Sequence, residues 1–167
     1  MTETPVVRRL TDQDLEIWKR IRLTAIQTAP RAFGRTLASF QAQNDADHIR
    51  RLTGSTLFGA FSGGQIIGSA GWNQVDFATE NHRGKINSVF VIPAFRGTGV
   101  AEMLINAIVT EAKTKVVQLA LTVTATQDRA VAFYRRMGFE IVGTIPRGLC
   151  HDGVFSDEHF MVHRLDA

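Results

Sequence analysis

Residues 91 to 101 read Val-Ile-Pro-Ala-Phe-Arg-Gly-Thr-Gly-Val-Ala, set between an apolar run and an amphipathic one. A strand ending near Pro93, a basic glycine loop and a helix start make a device for holding a phosphate. The first turn of a helix carries N–H groups without intrahelical partners, and the helix dipole adds positive potential there. Gly97 and Gly99 leave the backbone without Cβ atoms, so an anion can approach it closely. Arg96 adds a planar cation suited to phosphate oxygens. A purely structural turn is the competing explanation, since a Gly-x-Gly loop alone is a weak signal.

The loop departs from two common phosphate binders. A dinucleotide fingerprint needs a third glycine where Glu102 stands, and an acid about 20 positions further on, where the chain offers none in Val116–Leu121. No Gly-Lys-Ser/Thr follows any glycine at the spacing of a nucleotide P-loop. Metal chemistry is not expected. His159 and His163 have the i, i+4 spacing of zinc ligands, but that works on a helix. On a strand those positions lie about 13 Å apart, from a rise of about 3.3 Å per residue. His48 and His151 have no ligand-like neighbours in sequence.

These residues must be positioned by a soluble globular chain of 167 residues, 44% hydrophobic and 21% charged, expected to form one domain over 1–167. A net charge of +3 without any block of like charge argues against a nucleic-acid arm. A mild basic excess also steers anionic ligands. Cys150 is the only cysteine, which fits a reducing compartment. The N-terminal residues lack the apolar stretch of a signal peptide, and no run approaches the roughly 20 apolar residues of a membrane span. A cytoplasmic protein without membrane partners is the expectation.

Residues 5–10 can open as a strand, followed by a helix from Thr11 to about Thr28 with Leu15, Trp18, Ile21, Arg22 and Ile26 on one stripe. Residues 30–43 read as irregular, and a short helix follows over about 45–53. Strands are predicted at Thr56–Ser62 and Gln65–Val75, joined by the Gly63-Gly64 turn. A polar loop at Asp76–Gly84 leads to a strand at Lys85–Ile92. The helix after the glycine loop is expected from about Thr98 to Lys113, burying Met103, Leu104, Ala107 and Ile108. Val116–Thr124 is a strand, Gln127–Met137 a helix stopped by Gly138, and Phe139–Thr144 a strand. A loop with Pro146 and Gly148 leads to the last strand, Glu158–Leu165. The order β-α-α-β-β-β-α-β-α-β-β describes an α/β (α+β) mixed sheet with a parallel pair inside. Ligands favour the carboxyl ends of such strands, where the glycine loop lies.

A second constellation, Ala130-x-x-Phe133-Tyr134-x-x-x-Gly138-Phe139, sits on the later helix. With it the chain resembles the GNAT superfamily of N-acetyltransferases, which binds acetyl-coenzyme A. That family's Gln/Arg-x-x-Gly-x-Gly/Ala loop is matched by Arg96-Gly97-Thr98-Gly99-Val100-Ala101. Its Val-x-Pro strand ending is matched by Val91-Ile92-Pro93. Its Asn-x-x-Ala-x-x-Phe-Tyr-x-x-x-Gly-Phe motif is matched from Ala130 to Phe139, with Gln127 standing in place of the asparagine. The resemblance is strong over residues 85–144.

The resemblance implies transfer of an acetyl group from acetyl-CoA to an amine of an unidentified acceptor, by direct attack in a ternary complex. Residues 96–101 would hold the pyrophosphate, and the backbone of Phe90, Val91 and Ile92 the pantetheine arm. Gln127, Ala130, Phe133 and Tyr134 would complete the cofactor contacts. The Val91 N–H is assigned to the developing oxyanion, where such donors are typically worth about 3–4 kcal/mol. Tyr134 resembles the family's general acid. Its phenol, ordinarily near pKa 10, can donate to a thiolate of pKa about 8.5. An amphipathic core aromatic is the plainer alternative for Tyr134. Glu80 and His82 are candidate bases, as are Asn87 and Ser88 holding a water; solvated loop residues are the alternative for the first two. Acceptor contacts are expected from 30–43, 76–84 and 145–158, with Phe33, Phe40, Phe77 and Phe155 as pocket aromatics. No metal is implied. The acceptor itself, and dimerisation through the last strands, are left open. The competing function is a non-catalytic acyl-CoA-binding sensor, and a nucleotide-binding α/β protein is the weaker third.

Overall fold

The computed structural model describes residues 4–166. Seven strands form a mixed sheet in the order β1-β2-β3-β4-β5-β7-β6. They are β1 Val6–Arg9, β2 Thr56–Ser62, β3 Gln65–Gln74, β4 Arg83–Val91, β5 Gln118–Thr124, β6 Glu140–His151 and β7 Val154–Arg164. Helices are α1 Leu15–Thr28, α2 Leu37–Gln41, α3 Asp45–Thr53, α4 Val100–Ala112 and α5 Asp128–Arg136. The expected mixed α/β class and element order hold, with one addition. Residues 37–41, expected to be irregular, form the short α2, because Thr36 caps it by accepting a hydrogen bond from the Ser39 N–H. No helix is long and apolar enough to cross a membrane.

The chain gathers into two compact units. The first runs to Asn73 and resumes over Ile86–Thr110; the second takes Gln74–Lys85 and Glu111 onward. In the first, β1, β2 and β3 form an antiparallel meander, with β2 and β3 joined at Gly63-Gly64. Both glycines have positive φ, 55° and 76°, which the tight turn requires. α1 buries Trp18, Ile21, Arg22, Ala25 and Ile26, while Leu15 is only partly covered. A 3-10 turn, Asp12–Asp14, leads into α1. The Asp14 carboxylate accepts the Thr11 N–H at 2.9 Å and two hydrogen bonds from the Arg8 guanidinium, at 2.7 and 2.9 Å. The Arg8 bonds, and then that of Thr11, outweigh burial and lower the Asp14 carboxyl to about 2.

α4 turns Val100, Leu104, Ile105, Ile108 and Ala112 inward. Met103 was expected on that face but is 36% exposed. The buried stripe is rotated by one position from that expectation and takes in Ile105. α4 approaches β3 closely at Gly68, where a Cβ would stand 3.2 Å from Leu104 and 3.3 Å from Val100. The pair of buried side chains therefore rests on bare backbone. In β4, Ser88 holds a positive φ of 58° while 9% exposed, a strained conformation for a non-glycine residue. Its carbonyl accepts the Ser69 hydroxyl at 3.1 Å.

In the second unit β5 pairs in parallel with the start of β4, Arg83–Lys85 against Gln118–Ala120, and antiparallel with β7. β6 and β7 form a longer hairpin than expected. Pro146 and Gly148, taken as loop residues, lie inside β6 where the ladder slips between Ile145 and Leu149. Arg147 there adopts a φ of 53°. The turn is Asp152-Gly153, both with positive φ, the sequence pair that most favours a tight hairpin.

The Asp14 bonds give a pH test. A carboxyl depressed in the folded state adds stability that is complete above its unfolded value, about 3.9, and is lost as pH falls through the folded one. Stability is expected to fall by on the order of 1 kcal/mol from pH 5 to pH 2, discounted because the Arg8 side chain is 46% exposed. In denaturant titrations, Asp14→Asn should remove that part of the slope.

Candidate functional site

The glycine loop is built on the end of β4. The Ile92 N–H donates to the Ile67 carbonyl at 2.9 Å, so Ile92 faces β3. Strand alternation then turns the backbone N–H and C=O of Val91 away from β3. Of the three residues expected to carry the pantetheine contact, Ile92 has its N–H committed to the sheet and Val91 does not face it. A 3-10 turn, Pro93–Phe95, redirects the chain; the Arg96 N–H closes it on the Pro93 carbonyl at 3.2 Å. The Thr98 hydroxyl donates to the Phe95 carbonyl at 2.7 Å.

Gly97 and Gly99 take φ values of 75° and 87°, and a Cβ built on either meets nothing within 4 Å. The first is a backbone requirement and the second an open approach, the two properties an anion cradle needs. The Met103 N–H of α4 donates to the Gly99 carbonyl at 3.0 Å. The N–H groups of Gly97, Thr98, Gly99, Val100 and Ala101 donate to no backbone acceptor among the described residues. Arg96 is exposed, and its Nε donates to the Val91 carbonyl at 3.0 Å. Its guanidinium carbon lies 5.7 Å from the Phe90 ring centre. The arginine thus braces the strand end with one nitrogen.

In the second unit, α5 carries the other motif. Gln127 precedes α5 with its side chain capping nothing, and its carbonyl accepts the Val131 N–H at 3.0 Å. Ala130 and Phe133 are half-buried and Tyr134 is buried. The Tyr134 ring packs edge-on to Phe133 and Phe139 at centroid distances of 5.1 and 5.8 Å. Burial raises its phenol well above the ordinary value, so it is fully protonated at neutral pH. Gly138 ends the helix with φ 91°, and a Cβ there would stand 2.7 Å from the His163 ring. Glycine is required at that position for conformation and space alike.

Glu80 and His82 sit before β4. The Glu80 carboxylate is paired to Arg83 at 3.1 Å. His82 is exposed, and its carbonyl takes the Val117 N–H. Asn87, in the first unit, donates to the Asn73 side chain at 2.8 Å, and Asn73 donates to the Gly54 carbonyl at 2.7 Å. Its amide is spent on this network. Among the expected pocket aromatics, Phe40 is buried, Phe33 half-buried, and Phe77 and Phe155 are 72% and 55% exposed. His159 bonds to Thr144 and His163 packs on Phe139, both from β7. No group of three or more His, Cys, Asp or Glu is placed to hold a metal among the described residues. Two features had little voice in the sequence: the strained Ser88 and the buried Arg22. An arginine inside the apolar stripe of α1 was the visible signal for the second.

A sequence model of the acetyltransferase (GNAT) family matches residues 19–139, which include the whole of the glycine loop and α5. The chain belongs to the GNAT acetyltransferase family. Over 85 residues it is 34% identical to the N-alpha-acetyltransferase RimI of Mycobacterium tuberculosis, and it spans about half the length of that curated relative, 52%. Among solved structures, a GNAT-family acetyltransferase from Streptococcus pneumoniae superposes with a TM-score of 0.84 at 18% identity, over 96% of this chain and 99% of that one. The ribosomal-protein-alanine N-acetyltransferase of Brucella melitensis gives 0.80 at 25% identity, over 95% and 99%. The yncA protein of Salmonella typhimurium, solved with its cofactor acetyl-CoA, gives 0.83 at 17% identity, over 99% and 96%. The bare amides and open glycines of residues 97–101 fit a pyrophosphate.

Gly99→Ala forces a side chain into left-handed backbone at the start of α4 and covers part of the cradle. Affinity for coenzyme A is expected to fall by about tenfold or more, read by calorimetry. Gly143→Ala, at a glycine with open space and no positive φ, is expected to leave it unchanged.

Proposed function

We propose that this protein transfers the acetyl group of acetyl-CoA to a primary amine of its acceptor, by direct attack with both substrates bound. The observation that carries it is the loop of residues 97–101, whose backbone N–H groups donate to no backbone acceptor among the described residues and whose two glycines stand open. Acetyl-CoA would supply the acetyl thioester when bound. The N–H groups of Gly97 to Ala101 bind its pyrophosphate, with Arg96 adding positive charge. Val91, turned away from β3, offers its N–H to the carbonyl oxygen as negative charge develops there. The preceding Phe90 and following Ile92 fix the strand that holds this donor.

Tyr134 is the proton donor to the departing thiolate. Support comes from its buried, protonated phenol and from its place in the Ala130–Phe139 motif. As the carbon–nitrogen bond forms and the carbon–sulfur bond breaks, the phenolic proton goes to sulfur and solvent restores it. The amine gives up its own proton to a base. Of the two candidate bases in the loop preceding β4, this role is assigned to His82, since the Glu80 carboxylate is paired with Arg83.

An acetyl transfer assay tests this: free thiol is followed with acetyl-CoA and a panel of amines, and the acetylated amine is identified by mass. Turnover with at least one amine is expected; thiol release with none, despite tight coenzyme A binding, would instead support an acyl-CoA sensor. Tyr134→Phe is expected to lower kcat by about a hundredfold at saturation while the Kd for acetyl-CoA changes less than threefold, within the range of lost general acids. An unchanged kcat would remove Tyr134 from the chemistry.

A further inference from the structure

Arg22 is 3% exposed on the inner face of α1. Its Nη1 is sealed from solvent and has no hydrogen-bond partner among the described residues. Buried arginines are ordinarily paired with a carboxylate. Here the neighbouring charges have the same sign: Arg51 on α3 and Arg35 just before α2 both act on Arg22. None of the three takes part in the ion pairs found among the described residues. Burial first, and these two arginines second, lower the Arg22 guanidinium to about 10, so it stays charged at neutral pH. Arg51 is shifted down for the same reasons, burial and then Arg35. The one compensation in view is the Phe33 ring, whose centre lies 5.1 Å from the Arg22 guanidinium carbon.

Arg22 is thus a buried cation whose Nη1 has no partner among the described residues, with Arg51 on α3 and Arg35 before α2 as like-charged neighbours. Arg35 and Arg51 are half-buried, which leaves a ligand a way in. The cluster also adjoins the strand that carries Val91. Phe33, under Arg22, packs edge-on to Phe90 at 6.3 Å, and Ile21, Ala25, Phe33, Phe90 and Ile92 share one apolar cluster. The segment 30–43, expected from sequence to touch the acceptor, contributes Phe33 and Arg35 to this group.

We propose that Arg22, Arg35 and Arg51 form an oxyanion receptor for the acetyl acceptor, so that the preferred acceptor is a primary amine bearing a carboxylate or phosphate. Guanidinium forks match both groups bidentately, and a bound oxyanion satisfies Nη1 while relieving the mutual repulsion of the three cations. The cofactor's pyrophosphate has its own site at 97–101 and does not need them. The amine in this assignment rests on the transferase reading above; the anion site does not.

Two measurements separate these. The first is thermal unfolding in inorganic phosphate or acetate against chloride at equal ionic strength. The wild type is expected to gain about 2 °C or more, and Arg35→Gln and Arg51→Gln to lose that gain. Arg20→Gln, an exposed arginine on the same helix, is the control that keeps it. The second is kcat/KM for an amino acid against its amide, and for phosphoethanolamine against ethanolamine. An anionic partner is expected to be favoured about tenfold, through KM, and the two variants to bring the ratio near one. The arm with the larger ratio tells carboxylate from phosphate. Anion stabilisation without transfer to any amine leaves the receptor standing and removes the transferase reading. Transfer with equal rates for both members of each pair, and no anion stabilisation, overturns the receptor alone. Loss of affinity for coenzyme A but not for its 3′-dephospho form in the variants assigns the arginines to the cofactor and also overturns it.

Discussion

The start of α4 has to satisfy two opposing demands, and much of the first unit follows from them. Its amides must stay bare so that an anion can use them, while its flank must be sealed tightly enough to hold those amides still. Gly97 and Gly99 meet the first demand by adopting left-handed backbone with nothing over them. Gly68 meets the second by letting Val100 and Leu104 settle on the backbone of β3. Unpartnered N–H groups are costly inside a protein but not at an open helix end, where water or a ligand takes them. The loop is thus a place where the fold leaves hydrogen-bonding capacity unspent, next to a core that is closed.

β4 connects that cradle to the chemistry. The strained Ser88 and the Ile92-to-Ile67 bond bracket Val91, whose backbone polar groups turn away from β3. Strain of this kind persists only where the surroundings over-determine it, and the buried Ser69 hydroxyl on the Ser88 carbonyl contributes to that. A similar contrast separates two arginines. Arg8, on β1, meets a carboxylate with two hydrogen bonds and stabilises the entry to α1, whereas Arg22, inside α1, has like-charged neighbours and an aromatic face. One is a finished structural contact, and the other is a charge awaiting a partner.

Much of this was legible in the chain. Val91-Ile92-Pro93 and the Arg96–Ala101 loop announced a strand, a turn and a helix start, and the Ala130–Phe139 motif announced the family. The short helix read over about 45–53 is α3, and Asn44 caps it. Other parts were obscured by competing signals. Pro146 and Gly148 pointed to a loop, yet β6 absorbs them at a register slip because its partner β7 continues past them; the Asp152-Gly153 pair was the better guide. The inward face of α4 takes Ile105 rather than Met103; both are apolar, so the local pattern does not choose between them and packing against the core does. The arginine cluster draws on three separate segments, and no local pattern brings Arg22, Arg35 and Arg51 together.

The central claim is that the amides of residues 97–101 hold the pyrophosphate of coenzyme A. It is tested most directly by following backbone amide resonances of the 15N-labelled protein as coenzyme A is added, with inorganic pyrophosphate as a second titrant. The account predicts that Gly97, Thr98, Gly99, Val100 and Ala101 shift most with both, and that pyrophosphate moves the same signals in the same direction. Saturable binding of coenzyme A that leaves these five amides in place would contradict it.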